Sequence, residues 1–112
     1  MLSGEQLRLL KPHAVLVNVA RAEIIDEAAL FEALRDCWFA AAALDVWYRY
    51  PSHAGEGLHG SRYPFHELPN ALITPHCSGF TEGTADRRWG DLAANLDRYL
   101  RGDELHNVVL TT

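Results

Sequence analysis

Residues 14–19 read Ala14-Val15-Leu16-Val17-Asn18-Val19, a short β-branched run that is apolar apart from Asn18. Such a run predicts a strand buried on both faces, as in parallel sheets. Two more strands are predicted over residues 40–46 and 71–74, and Pro75 stops the second. The alanines of residues 40–46 also favour helix, but the position of this run after a helix favours a strand.

Helices are predicted on either side of these strands. A capping box at Ser3 and Gln6 predicts a helix from about Gly4 to Leu10, ended by Lys11-Pro12. Asp26 is expected to cap a second helix. Its predicted apolar stripe consists of Leu30, Phe31, Leu34, Cys37 and Trp38. A third helix is expected to begin at Thr81 or Thr84 and to end at Gly102. Its predicted apolar face consists of Ala85, Trp89, Leu92, Ala93, Leu96 and Leu100.

The alternation of helices and strands predicts an α/β fold with a parallel sheet and right-handed crossovers. Residues 1–102 are expected to form the domain, and residues 103–112 a tail with an edge strand over 105–110. Residues 50–68 are expected to form a long loop, a kind of segment that is usually functional or mobile.

Composition excludes several classes of protein. A chain of 112 residues suffices for one small domain. The net charge of -5, without basic clusters, argues against a nucleic-acid partner. No apolar run has the roughly 18 residues of a membrane helix, and the start resembles no signal peptide. Since Cys37 and Cys77 lie in unrelated contexts, we expect reduced thiols and a cytoplasmic location.

Two motif-like patterns are interpreted as accidental. Residues 55–60 match G-x-G-x-x-G, but Pro51-Ser52-His53 before them and Ser61-Arg62-Tyr63-Pro64 after them are neither strand nor helix. A flexible loop is therefore preferred to a phosphate-binding turn. A metal site built from His53, His59, His66 and His76 is also disfavoured, since their spacing fits no compact ligand motif.

Three chemically capable residues follow the three strands: Arg21, Asp45 and His76. Ligands gather at the carboxyl ends of parallel strands. An arginine can hold a carboxylate, a histidine can exchange a proton near neutral pH, and an aspartate can accept from an amide. This set suits oxidation of a hydroxyl next to a carboxylate. Each residue alone is as easily a surface charge, a loop cap or a turn residue, so the residues by themselves leave both interpretations open.

Five segments carry a resemblance that favours the functional interpretation. In chain order they are residues 9–21 (LLKPHAVLVNVAR), 25–30 (IDEAAL), 43–47 (ALDVW), 68–76 (LPNALITPH) and 105–109 (LHNVV). They resemble the D-isomer-specific 2-hydroxyacid dehydrogenases, in the carboxyl-terminal half of the NAD-binding domain. The resemblance implies a partial Rossmann-like fold, a three-layer arrangement of a parallel sheet with flanking helices.

The resemblance also implies roles for individual residues. Arg21 matches the substrate-binding arginine, and His76 the general acid/base. Asp45 matches the carboxylate that orients the nicotinamide carboxamide. The residues expected to bind cofactor are Val19, Ala20, Arg21, Asp45, His76, Ser78 and Gly79. The implied cofactor is NAD, with NADP not excluded, and the implied substrates are D-2-hydroxy acids and 2-keto acids.

Departures from the family pattern leave alternatives. Tyr50 stands where the family usually has a glutamate beside the histidine; a phenol can orient the ring but adds no charge. Ala22 replaces a glycine, which would be strained if that position needs positive φ. The glycine-rich phosphate-binding half is absent from these residues. We therefore expect a portion of an oxidoreductase, inactive alone and completed by a homo-oligomer or a missing amino-terminal half. The alternative is a non-catalytic remnant that acts in self-association or protein interaction.

Overall fold

A computed structural model describes residues 1–53 and 60–109. The chain divides into two compact units, Met1–Gly79 and Phe80–Thr112. The helices and strands are α1 (Gly4–Leu7), β1 (Val15–Asn18), α2 (Glu27–Arg35), β2 (Ala41–Leu44), β3 (Ala71–Ile73) and α3 (Thr84–Arg101). Two 3-10 turns lie at Ala22–Ile24 and Phe65–Glu67. The predicted limits of domain and tail, residues 1–102 and 103–112, stay a prediction.

The sheet of the first unit is parallel throughout. Its strand order is β1-β2-β3, with Val17 opposite Ala43 and Ala43 opposite Leu72. All three strands therefore end at the same edge, and the residues that follow them meet there. The predicted α/β class with a parallel sheet and flanking helices is confirmed.

One face of the sheet carries the hydrophobic core of the first unit. The buried residues of this core are Leu7, Ile25, Leu30, Ala33, Leu34, Phe39, Ala42, Leu44 and Phe65. They come from α1, α2, β2 and the second 3-10 turn, together with Ile25 before α2 and Phe39 before β2. Leu16 of β1 and Ala71 of β3 pack against this core. Burying each large side chain stabilises the fold by roughly 1.5–3 kcal/mol.

The opposite face of the sheet is open, and here the prediction for β1 was wrong. Val15 and Val17 are 62% and 64% exposed, whereas Leu16 and Asn18 point toward the core. Within the described part of this unit, no helix covers the valine side. The apolar run of residues 14–19 indicates a two-sided strand, but only one of its sides has a partner in this unit.

Helix α1 is shorter than predicted. The capping box at Ser3 forms, with the Gln6 side chain accepting from the Ser3 N–H at 2.9 Å. The helix ends at Leu7 rather than near Leu10, because Leu9 and Leu10 donate to carbonyls three residues back, at Gln6 and Leu7. Such bonds tighten the last turn before Pro12 removes a donor.

Helix α2 begins as predicted and ends early. Asp26 caps it by accepting from the Ala29 N–H at 2.8 Å. The helix ends at Arg35, so Cys37 and Trp38 of the predicted stripe lie beyond it. Cys37 has a left-handed backbone, with φ at 53°, and its side chain is exposed. This turn redirects the chain into β2.

The second unit consists of α3 and its flanking turns. The helix begins at Thr84 and ends at Arg101, and Gly102 after it has a φ of 74°, which suits a left-handed cap. None of its residues is buried, although its apolar face was predicted from spacing. The predicted edge strand over 105–110 was wrong for its described part. Residues 105–109 form no strand, and His106 instead exchanges two hydrogen bonds with the Asn95 side chain.

Within its described residues, 50–53 and 60–68, the predicted long loop contains one 3-10 turn, Phe65–Glu67. The G-x-G-x-x-G match lies outside the described residues except for Gly60. No helix begins at residues 61–64, so the context of a phosphate-binding turn is missing there. Gly60 lies against Trp47, where an added Cβ would come within 2.7 Å of the indole. No helix within the described ranges has the length and apolarity needed to cross a membrane.

Candidate functional site

Arg21 lies in a turn after β1, and the buried side-chain amide of Asn18 stabilises the backbone of this turn. Asn18 ends β1 and is only 4% exposed. Its Oδ1 accepts from the Ala20 N–H at 3.2 Å, and its Nδ2 donates to the Arg21 carbonyl at 3.0 Å. The Arg21 guanidinium itself is exposed, and Nη1 donates to the Ala20 carbonyl at 2.6 Å. The backbone of this turn is fixed while most of the guanidinium donors remain available.

Ala22 is accommodated without strain, so a positive φ is not required at this position. It begins the first 3-10 turn and is 2% exposed, and it is not among the residues with positive φ. The unusual backbone lies instead at His76, whose φ is 57°. Few non-glycine residues adopt this left-handed conformation.

Asp45 holds the backbone that follows β3. It is 2% exposed, and both carboxylate oxygens accept two hydrogen bonds. Oδ1 accepts from Thr74 Oγ1 at 2.6 Å and from the Cys77 N–H at 2.8 Å. Oδ2 accepts from the Ser78 N–H at 3.0 Å and from Ser78 Oγ at 2.5 Å. A carboxylate has about four acceptor positions, so Asp45 is fully engaged within the protein.

The pKa of Asp45 reflects two opposed effects. Burial favours the neutral acid and raises the pKa, but the hydrogen bonds from Ser78, Thr74 and the backbone of Cys77 favour the carboxylate. The hydrogen bonds outweigh burial, so the pKa of Asp45 lies well below its usual range. The carboxylate that fixes the loop of His76 is therefore ionised at any physiological pH.

Tyr50 contacts the imidazole of His76. Its hydroxyl lies 2.9 Å from His76 Nδ1 and accepts from the Trp47 N–H at 3.1 Å. The two ring centroids are 5.5 Å apart. The phenol therefore contacts the imidazole at Nδ1 and can orient the ring, whereas Nε2 makes no bond to Tyr50.

Arg21 and His76 line one cavity of about 310 Å³, which we call the arginine–histidine cavity. Its described lining is Arg21, Ala22, Glu23, Trp47, Tyr50 and His76. The structure therefore brings together the two predicted catalytic residues and Tyr50. A molecule in this space meets one cation, one carboxylate, one imidazole and aromatic walls.

A second cavity of about 160 Å³, which we call the sheet-end cavity, lies where the strands end. Its lining residues are Val19, Ala43, Leu44, Asp45, Leu72, Thr74 and Ser78. It is mostly apolar, with the hydroxyls of Thr74 and Ser78 and the Asp45 carboxylate as polar groups.

Two of the predicted cofactor residues lie outside both cavities. Ala20 and Gly79 line neither cavity, and no atom lies within 4 Å of a Cβ added at Gly79. Several lining residues were not predicted as site residues: Ala22, Glu23 and Trp47 in the first cavity, and Ala43, Leu44, Leu72 and Thr74 in the second. Thr74 had a usable signal, since it is polar and ends a strand. Glu23 had none, because a glutamate in a turn is ordinary.

No metal centre forms within the described residues. No three or more His, Cys, Asp and Glu side chains converge there. His59, one of the four histidines considered, lies outside those residues.

Comparison with known proteins gives the family. Residues 1–78 match the sequence profile described as D-isomer specific 2-hydroxyacid dehydrogenase, NAD binding domain. The chain is 34% identical over 109 residues to a glyoxylate reductase of Korarchaeum cryptofilum, covering 97% of this chain and 31% of that protein. The chain thus spans about a third of that relative's length.

Two solved structures are similar in fold. The NAD-complexed D-isomer specific 2-hydroxyacid dehydrogenase of Lactobacillus delbrueckii ssp. bulgaricus matches with a TM-score of 0.83 at 28% identity, covering 98% of this chain and 35% of that one. A D-isomer specific 2-hydroxyacid dehydrogenase of Xanthobacter autotrophicus Py2, in complex with NADPH and MES, matches with a TM-score of 0.72 at 32% identity, covering 96% and 40%. The chain belongs to the D-isomer specific 2-hydroxyacid dehydrogenase family, in its NAD-binding domain.

Proposed function

We propose that these residues form the reacting end of an NAD(P)-dependent oxidoreductase that interconverts 2-keto acids and D-2-hydroxy acids. The observation that carries the proposal is the shared cavity of Arg21 and His76, with Tyr50 on the imidazole. The chain is proposed to act with the polypeptide that supplies the phosphate-binding loop, and to be inactive without it.

Arg21 is proposed to bind the substrate carboxylate and to polarise the neighbouring carbonyl. Its guanidinium has five N–H donors, and the bond to Ala20 uses one side of it. A planar fork suits two oxygens at once. This contact orients the carbonyl carbon, and it strengthens as negative charge develops on the carbonyl oxygen.

His76 is proposed as the general acid/base. In reduction, Nε2 donates a proton to the oxygen that becomes the hydroxyl, and in oxidation it takes that proton back. The nicotinamide, when bound, gives or accepts the hydride. Tyr50 orients the ring by accepting from Nδ1–H, which leaves Nε2 as the exchanging nitrogen.

The phenol differs from a carboxylate in one consequential way. A carboxylate only accepts, whereas Tyr50 can also donate its O–H to Nδ1. That alternative places the single proton of a neutral imidazole on Nε2, where the ring cannot act as a base. We therefore propose that the neutral ring takes the proton of a hydroxy acid only in the tautomer whose Nδ1–H donates to Tyr50.

The sheet-end cavity is proposed to hold the nicotinamide end of the cofactor. Val19, Ala43 and Leu72 offer apolar surface for the ring. The Ser78 hydroxyl, which donates to Asp45 in this structure, can rotate toward the carboxamide and expose one Asp45 oxygen to its N–H. NAD and NADP share this end, so the cavity accepts either.

The first test is a titration of the chain with NADH, followed by nicotinamide fluorescence. We expect saturable binding that Ser78→Ala weakens and that Glu32→Gln, an exposed change on α2, leaves unchanged. Absence of binding at millimolar NADH, together with absence of turnover of any 2-keto acid by the natural polypeptide that carries these residues, would contradict the proposal.

A second candidate function is self-association or protein interaction without catalysis. The observation that favours it is the open sheet face, where Val15, Val17 and Leu72 are exposed. Exposed contiguous apolar surface often marks an interface. Concentration-dependent oligomers that Val17→Lys dissociates, in a chain that binds no NADH, would favour this function over the first.

A further inference from the structure

Glu23 lies in the arginine–histidine cavity and has no part in the chemistry proposed above. It is the middle residue of the first 3-10 turn, directly after buried Ala22. Successive residues of such a turn point in different directions. With Ala22 anchored inward, Glu23 is exposed and lines the same cavity as Arg21 and His76.

The two charged side chains of this cavity are both available to a ligand. Within residues 1–53 and 60–109, no ion pair joins Glu23 to a cation, and Arg21 donates only to the Ala20 carbonyl. They do not neutralise each other by direct contact. The cavity therefore presents separate positive and negative groups.

The negative charge of Glu23 contributes to the raised pKa of the neighbouring Tyr48 phenol. Burial raises the pKa of the Tyr48 phenol, and the carboxylates of Glu27, Asp26 and Glu23 raise it further. Tyr48 donates to the Ile25 carbonyl at 2.8 Å, just after the 3-10 turn. Glu23 therefore lies close enough to Tyr48 to make the smallest of these contributions.

We infer that Glu23 sets the charge preference of the substrate tail. The inference rests on the proposed function, in which Arg21 takes the carboxylate of a 2-keto acid. The remainder of the substrate then lies in a cavity whose other fixed charge is negative. Substrates with a cationic or hydrogen-bond-donating tail are favoured, and dicarboxylates or phosphorylated keto acids are disfavoured.

The expected effect is moderate because the cavity is open to solvent. Two charges a few ångströms apart near a protein surface change an equilibrium by about three- to tenfold once water and salt screen them. The preference is expected to weaken as ionic strength rises.

The test compares three 2-keto acids with five-carbon chains on the natural polypeptide that carries these residues: 2-oxopentanoate, 2-oxoglutarate and 5-guanidino-2-oxopentanoate. Glu23→Gln is expected to raise kcat/KM for 2-oxoglutarate by about three- to tenfold relative to 2-oxopentanoate. The same variant lowers the value for the guanidino acid by a similar factor. Glu32→Gln, which removes an exposed carboxylate on α2, is the matched control and changes neither ratio.

A binding readout accompanies the kinetics. The affinity of each of the three acids is measured by calorimetry, from its competition with oxamate for the protein. We expect these affinities to follow the order of the kcat/KM values, and Glu23→Gln to change them in the same direction. Turnover with unaltered ratios and unaltered competition in Glu23→Gln overturns the inference and leaves the proposed function standing. Absence of turnover with every 2-keto acid overturns both.

Discussion

The two sides of the arginine–histidine cavity are built differently. On the histidine side, Asp45 accepts four hydrogen bonds and fixes the backbone from Thr74 to Ser78. On the arginine side, Asn18 fixes only the turn, and the guanidinium keeps most of its donors unused. The group proposed to move a proton is held in place before substrate arrives, whereas the group proposed to bind substrate stays open. Proton transfer depends on geometry within a fraction of an ångström, while a charge clamp gains from unsatisfied donors.

Removing the imidazole is expected to have the largest effect. His76→Asn should lower kcat for 2-keto acid reduction about 1,000-fold, because no other described group of the cavity can exchange a proton near neutral pH. Steady-state kinetics of the natural polypeptide measure this. NADH binding is expected to be unchanged, and a loss below tenfold would mean that another group transfers the proton.

Substitution of Arg21, on the arginine side of the cavity, should weaken mainly the binding of substrate. Arg21→Lys keeps the charge and removes the fork, so we expect kcat/KM to fall about 100-fold, with much of the loss in KM. The two parameters are separated by varying the keto acid at saturating cofactor. An unchanged KM would indicate that Arg21 does not touch the substrate carboxylate.

Weakening the hydrogen bonds of Asp45 on the histidine side should lower kcat, as substitution of His76 does. Each carboxylate oxygen of Asp45 accepts from one backbone N–H, and Asp45→Asn replaces one of these oxygens with an NH₂ donor. The loop of His76 is therefore expected to shift. A displacement of about 1 Å can cost about 100-fold in kcat. If Asp45 acts mainly on the cofactor carboxamide, the loss falls instead on cofactor affinity and is small with 3-acetylpyridine adenine dinucleotide, which lacks the amide.

The same variant has a stability signature. Because the pKa of Asp45 is lowered in the folded state, its contribution to stability is present above its ordinary value of about 3.9 and is lost as pH falls below it. Asp45→Asn should therefore lower Tm at pH 7 and flatten the dependence of Tm on pH below 4. Thermal unfolding followed by circular dichroism measures both, with exposed Asp97→Asn as control.

The smallest effect is expected at Tyr50. Tyr50→Phe removes the hydroxyl contact with His76 and should lower kcat about tenfold. Tyr50→Glu should recover the activity that Tyr50→Phe loses. It should also move the pH–rate profile to higher pH by about one unit, since an adjacent carboxylate favours the charged imidazole. Tyr99→Phe, an exposed phenol on α3, serves as control. An unshifted profile in Tyr50→Glu would show that residue 50 does not orient the imidazole.

Some lining residues of the two cavities could be predicted from the sequence, and others could not. Arg21, Asp45 and His76 were predictable because parallel strands end at one edge, and each of these residues follows a strand. Glu23 and Trp47 were not, because their positions depend on a 3-10 turn and on the packing of Gly60 against the indole. The resemblance named Tyr50 as a departure, but only its distance to Nδ1 makes it a partner of His76.

The sequence by itself determined the local features: the order of helices and strands, the caps at Ser3, Asp26 and Gly102, and the family. These depend on periodicity and on hydrogen bonds within a few residues, which the residue types specify directly. Only the tertiary structure decided that β1 is covered on one face, that α2 ends before Cys37, and that Asp45 is used up by the loop of His76. The groups that bond to Asp45 lie 29 to 33 residues away along the chain, and no local pattern encodes that meeting.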